Sequence, residues 1–233
     1  METTPQTKHG LVAVDFVGTI ANLSPSSEFL ISSYLREVGQ PRKFETVAKV
    51  HADSLLKFHY SSVKIRSREE RKNLLLNQNK WLLERLHVKA SPNHLFEWFE
   101  KDERSWVLLH GASREIFSEI SGKCRRFVVA SNFASNLPEI LDELRLLDVF
   151  DHVYASQIMG VEKPSVEFFT AIQTKESFSP NDCLMVGDSH NLDVQPSLAA
   201  GWKALLMAGD HYLDTVSTKT NRIASFRDLA SRL

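Results

Sequence analysis

Five short runs of strand-forming residues, each closing on a turn and followed by a helical stretch, restrict this chain more than anything else in it. They lie at residues 11–14, 127–130, 152–155, 183–186 and 203–207. The second reads Phe127-Val128-Val129-Ala130, with no polar residue alternating in it. A strand that does not alternate is buried on both faces, as in a parallel sheet covered by helices on either side. Helical spacing at residues 114–120, 138–146, 166–172 and 194–200 supplies those helices. The expected fold is therefore α/β, a doubly wound, Rossmann-like parallel sheet.

Residues 23–105 have a different texture and hold no convincing strand. Ser24-Pro25 reads as a helix cap with proline at the first helical position. Leu30, Ile31, Tyr34, Leu35 and Val38 then recur at helical spacing until Gly39 and Pro41 stop them. A second helix is expected over 44–60. A third opens on the capping-box pattern Ser67-x-x-Glu70 and carries Leu74, Trp81, Leu82 and Leu86. A fourth begins at Ser91-Pro92 and holds Leu95, Phe96, Trp98 and Phe99. Four amphipathic helices with short joints make a four-helix-bundle cap. Because it is inserted after the first strand, it is expected to close over that strand's end as a lid. The division expected is a core of residues 1–22 and 106–233 and a cap of residues 23–105.

A chain of 233 residues is long enough to bury a sizeable interior. Its formal net charge of −1 gives no electrostatic reason to expect nucleic acid or an anionic membrane as partner. Cys124 and Cys183 lack disulfide or metal-type spacing and read as reduced, buried thiols. The first nine residues are polar, without the apolar centre of a secretory signal. No apolar run approaches the roughly 20 residues that a membrane-spanning helix needs. A soluble cytoplasmic protein, monomer or homodimer, acting on a small molecule is the expectation.

Four short signatures carry the chemistry. The first strand ends in Asp15-Phe16-Val17-Gly18-Thr19, and the strand at 127–130 in Ser131-Asn132. Lys163 stands within Gly160-Val161-Glu162-Lys163-Pro164. The strand at 183–186 ends in Gly187-Asp188-Ser189-His190-Asn191-Leu192-Asp193, and Ala200-Gly201-Trp202-Lys203-Ala204 follows. Singly, an aspartate after a strand is a turn or a helix cap, a Ser-Asn pair is turn chemistry, and Lys-Pro is surface. In this order, over essentially the whole chain, they resemble the haloacid dehalogenase superfamily, in its branch with a helical cap after the first strand.

The resemblance implies Mg²⁺-dependent hydrolysis of a small phosphorylated metabolite through an aspartyl-phosphate. Asp15 would be the nucleophile. Asp15, the main-chain carbonyl of Val17 and Asp188 would hold the Mg²⁺ ion, which suits oxygen ligands. Asp193 would hold a water of the ion's shell or brace Lys163. Ser131 would hydrogen-bond the phosphoryl oxygens, with help from Gly18 and Asn132 in the adjoining turns. Lys163 would neutralise charge on Asp15 and the phosphoryl group. Thr19 would orient Asp15 or the phosphate.

One position departs from the family's phosphatases, which resemble each other in having a second aspartate two residues after the nucleophile. Here that position is Val17, which can neither protonate a leaving alcohol nor activate water. Loss of such a group typically costs 10²–10⁴-fold in rate, about 3–5 kcal/mol of barrier. Four readings follow. The leaving group needs no proton, as in an acyl phosphate or phosphoanhydride. A residue such as His51 or His59 of the second cap helix, or His190 of the last motif, supplies it. Lys57 forms an imine, as in the similar phosphonoacetaldehyde hydrolase, with Lys43, Lys49 and Lys64 nearby. Or the chain is a non-catalytic binder of phospho-ligands or proteins. A 2-haloacid dehalogenase is a variant, although such enzymes resemble a metal-free site, which Gly187-Asp188 argues against.

Overall fold

The computed structural model describes residues 9–59, 67–101, 104–207 and 221–233. In chain order, strand β1 (His9–Val14) leads into a short β2 (Ala21–Ser24). Helices α1 (Ser27–Glu37), α2 (Phe44–His59), α3 (Arg68–Arg85) and α4 (Pro92–Glu100) follow, then β3 (Ser105–Leu108). Next come α5 (Arg114–Lys123), β4 (Cys124–Ser131), α6 (Leu137–Glu143), β5 (His152–Ala155), α7 (Ser156–Met159) and α8 (Val166–Glu176). The chain ends with β6 (Cys183–Gly187), α9 (Gln195–Ala199), β7 (Lys203–Met207), β8 (Arg222–Ile223) and α10 (Phe226–Arg232). Two compact units result, Met1–Asn22 with Leu108–Leu233, and Leu23–Val107.

The non-alternating runs form one six-stranded sheet in the order β5-β4-β1-β6-β7-β8. Its neighbouring strands all pair in parallel. The chain fills one side of β1 with β4 and β5, then crosses to β6, β7 and β8 on the other. β1 is therefore the switch point, beside which open α/β sheets bind their ligands at the strands' carboxyl ends. Register decides what gathers there. Val14 lies opposite Val129 on one side and Val186 on the other. The residues one step further, Asp15, Ala130 and Gly187, are thus level, with Ser131 and Asp188 just beyond them.

Residues 11–14 and 127–130 are all wholly buried, as a sheet covered on both faces requires. Leu11, Ala13, Val128 and Ala130 share one face with Phe168, Phe169, Ile172 and Trp202. Phe127 belongs to the other, where its ring meets Phe117 and Phe150, and Phe117 packs edge-on to Phe226 at 4.7 Å. Cys124 and Cys183 are free and buried, and burial pushes the Cys183 thiol up to about 12.

The second unit carries the four expected helices. Ser67 and Glu70 exchange both bonds of the capping box on α3, and Ser91 caps α4 with Pro92 in its first turn. Ile31, Tyr34 and Leu35 of α1 pack with Val47, Leu82, Leu83, Leu86 and Leu95 into a core of this unit's own. Three details differ from the sequence reading. Ser26, not Ser24, caps α1, because its hydroxyl accepts from the Phe29 N–H; Ser24 ends β2. β2 and β3 pair in a two-stranded sheet whose β2 is too short and polar to show a periodic pattern. The helix expected over 194–200 is present as α9, but a wide π-type turn, His190–Val194, runs into it. Its cause is Ser189, whose carbonyl accepts from both Asp193 and Val194. No helix among the described residues is long and apolar enough to cross a membrane.

Candidate active site

Asp15 leaves β1 nearly buried, 7% exposed, with its N–H donating to the Val186 carbonyl at 2.9 Å. The chain then folds back, because the Phe16 carbonyl accepts from Ile20 at 2.8 Å and Ala21 at 3.0 Å. Gly18 occupies the left-handed region at φ +84°. A Cβ there would lie 2.2 Å from an Asp188 carboxylate oxygen, so only glycine lets the two motifs approach. The Gly18 N–H donates to the Ala21 carbonyl and to the Asn22 side chain. The Val17 side chain is exposed, and the bonds bridging Val17 to Ala21 use the Phe16 carbonyl and the Gly18 N–H, leaving out the Val17 carbonyl. Thr19 is wholly buried and donates to Asp188 at 3.2 Å.

Lys163 is the hinge of the site. Its ammonium, 2% exposed, donates to Asp15 at 2.8 Å, to Asp193 at 2.5 Å and to the Ala130 carbonyl at 3.1 Å. Three acceptors match the three donors of an ammonium. Burial works against its charge, but Asp15 and Asp193 outweigh burial and hold Lys163 above its ordinary value. The lysine thus stays cationic. Its main chain is gripped by Asn132, whose side-chain amide accepts from the Lys163 N–H and donates to the Lys163 carbonyl, both at 2.8 Å. That bond pair sets the Asn132 side chain against the Lys163 main chain. Ser131, also buried, ends β4 one residue before it.

The acidic groups converge. Ligand oxygens of Asp15, Asp188 and Asp193 all lie within 4.8 Å of one another. Asp193 is held by Lys163 and by the Ser189 N–H at 3.0 Å, and a Cβ on Gly187 would collide with its carboxylate at 2.3 Å. Burial, aided by Asp15 and opposed by Lys163, pushes the Asp193 carboxyl up to about 6. Burial and the charges of Asp15 and Asp193 push Asp188 well above the usual carboxylate range. Three carboxylates gather about the Lys163 ammonium, so ionising all of them leaves negative charge that this lysine alone does not balance, which is why burial and their neighbours push Asp188 and Asp193 up. All-oxygen donors with uncompensated charge are the chemistry that a hard divalent cation such as Mg²⁺ takes. The residues present fit that ion.

The remaining candidates divide cleanly. His51 lies in the helical unit, where its Nδ1 and Glu28 Oε1 are 2.7 Å apart. Burial opposes the charged Glu28, but the hydrogen bond and charge of His51 hold its carboxyl down to about 2. Lys57 is exposed on α2 with its ammonium 5.6 Å from the Trp81 ring centre. Lys43 and Lys49 are exposed as well, and His190 is half-buried in the turn after β6. Lys64 and the side chain of His59 lie outside the described residues. His110 had no signal in the sequence; its Nε2 sits 3.3 Å from the Gly18 carbonyl and braces the first motif.

The acidic cluster and the buried lysine between two of its carboxylates thus lie at the switch point of the parallel sheet, where open α/β sheets bind their ligands. The haloacid dehalogenase-like hydrolase family matches residues 9–201, and the chain belongs to that family. The mouse haloacid dehalogenase-like hydrolase domain-containing protein 3 is 33% identical over 115 residues, 48% of this chain and 44% of its own length. The chain thus spans about half the length of that relative. Among solved structures, the putative hydrolase YfnB of Bacillus subtilis, bound to magnesium, has a TM-score of 0.70 at 18% identity, over 97% of this chain and 99% of its own. A predicted phosphoglycolate phosphatase from Haemophilus somnus has a TM-score of 0.67 at 16% identity, over 97% and 98%. Likenesses at these identities concern the fold alone.

Proposed function

We propose that the protein is a Mg²⁺-dependent phosphohydrolase acting on a small phosphorylated molecule through a phosphoryl group carried on Asp15. The observation that carries the reading is the Lys163 ammonium, hydrogen-bonded at once to Asp15 and Asp193 while Asp188 stands within 4.8 Å of both. A carboxylate attacking a phosphoryl group brings two anions together, and a fixed cation beside the nucleophile lowers that repulsion in the transition state. Lys163, buried and hydrogen-bonded to Asp15, Asp193 and the Ala130 carbonyl, supplies it.

In the first step an Asp15 oxygen forms the bond to phosphorus as the bond to the leaving group breaks. In the second, water attacks phosphorus, the Asp15 oxygen departs and phosphate is released. Ser131, at the end of β4, would donate to the phosphoryl oxygens. Asp15, the Val17 carbonyl and Asp188 would hold Mg²⁺, which supplies charge neutralisation to the phosphoryl group, with Asp193 holding Lys163. Val17 offers no proton to the departing group. The favoured substrates are therefore those whose leaving group is stable as an anion, acyl phosphates ahead of alkyl esters.

Titration calorimetry tests the reading. Wild-type protein is expected to bind Mg²⁺ and to hydrolyse acetyl phosphate, and both are expected to fall away in Asp188→Ala. A wild type that binds no Mg²⁺ would remove the proposal. A second reading, a binder of phospho-ligands, is favoured by the exposed valine in the acid's place. It predicts Mg²⁺ and phosphate binding with no turnover of any phosphate ester or anhydride.

A further inference from the structure

Lys163 belongs to no strand. It lies in the connection between α7 and α8, after Gly160 in the left-handed region and before Ser165, which caps α8. In such a segment the backbone N–H and carbonyl have no ladder partner, yet at a buried residue both need one. The partner is a single side chain. Asn132 closes a ring of two 2.8 Å bonds with the Lys163 N–H and carbonyl, as a neighbouring strand would. Asparagine suits this task because one short side chain holds both an acceptor and donors; aspartate has no donor and glutamine is a methylene longer.

The anchor is itself rigid. Asn132 follows β4, which pairs with β1 in the register Val14 to Val129, so its distance to Asp15 is set by the sheet. The Lys163 ammonium returns to the same strand, donating to the Ala130 carbonyl at 3.1 Å. A flexible four-carbon stem is thus tied to β4 at both ends, and its ammonium is left on Asp15 and Asp193. We propose that Asn132 is a positioning residue that acts through Lys163, fixing where the ammonium meets the nucleophile, and not a ligand of the substrate. Its kinetic consequence rests on the phosphohydrolase reading; the clamp itself does not.

The test uses the whole chain and two readouts. Nitrogen-15 NMR of lysine ammonium groups should show one slowly exchanging signal in the wild type, lost in Lys163→Met and so assigned to Lys163. In Asn132→Ala this signal should broaden or vanish while the thermal midpoint stays within a few degrees. With acetyl phosphate and Mg²⁺, kcat should fall roughly 10–100-fold, the usual effect of removing a group that orients a site residue, with KM within about twofold. Asn132→Asp keeps the acceptor and loses the donor. It should show faster ammonium exchange than the wild type, and it serves if the alanine variant does not fold. An ammonium signal unchanged in both variants would overturn the proposal, as would a rise in KM with kcat unchanged, the mark of a substrate ligand. A changed signal in a protein that hydrolyses nothing would uphold the clamp and sink the phosphohydrolase reading instead.

Discussion

Replacing Gly18 with alanine tests how closely the first and last motifs must meet. The added methyl would sit 2.2 Å from Asp188 Oδ2 and 2.6 Å from its Cγ. Ordinary carbon–oxygen contact begins near 3.4 Å, so the carboxylate must retreat by about 1.2 Å or the loop must open. The backbone adds its own cost, since φ +84° disfavours any residue with a Cβ by about 1–2 kcal/mol. Metal–ligand distances tolerate only about 0.2 Å, so a displaced Asp188 is lost as a ligand. The expected result is a midpoint lowered by several degrees without Mg²⁺, corresponding to about 1–3 kcal/mol. Wild-type protein should gain midpoint from millimolar Mg²⁺ through preferential binding to the folded state, and in the variant that gain should be largely abolished. Differential scanning calorimetry at several Mg²⁺ concentrations reads both quantities. An alanine variant stabilised by Mg²⁺ as strongly as the wild type would refute the placement of Asp188 in the ion's site.

Val17→Asp should raise turnover of an alkyl phosphate by an order of magnitude or more while changing acetyl phosphate hydrolysis little; equal changes for both would show that the leaving group is not what Val17 leaves unassisted. The side chain is 42% exposed, so this substitution should cost under about 0.5 kcal/mol of stability. Glu28 supplies a pH dependence in the helical unit, its carboxyl held at about 2 against an ordinary 4.5 by His51 in spite of burial. The stability this contributes is complete above pH 4.5 and is lost as pH falls towards 2. The depression corresponds to about 3 kcal/mol at most, reduced to about 1–2 kcal/mol by partial exposure. Denaturant melts from pH 6 to 2.5 should show Glu28→Gln losing less stability than the wild type; parallel curves would show that the His51 contact is worth nothing.

What could be read in the sequence was whatever is set by a run of neighbouring residues. Phe127-Val128-Val129-Ala130 announces a doubly covered strand because burial on both faces removes alternation, and the observed sheet follows. The Ser67–Glu70 box and Ser91-Pro92 announce helix starts because the bonds that cap a helix are local. The convergence of Asp15, Asp188 and Asp193 came from a resemblance and has its physical cause in register, which no single segment reveals. Pairings between distant residues stayed hidden for the same reason. Thr19 turns to Asp188 across 169 positions, Asn132 to Lys163 across 31, and His51 to Glu28 across two helices. Ser24 and Ser26 offer the same chemistry two residues apart, and only the reach of a hydroxyl to the Phe29 N–H chooses between them.

The account stands on Asp15 becoming covalently attached to phosphorus. The direct measurement is a short reaction of the protein with acetyl phosphate and Mg²⁺, quenched in acid, reduced with borohydride and mapped by mass spectrometry. An acyl phosphate is reduced to the alcohol, so homoserine is expected in place of Asp15, with none in a sample lacking Mg²⁺ or in Asp15→Asn. Turnover of acetyl phosphate with Asp15 unmodified, or the mark on another carboxylate, would contradict the account.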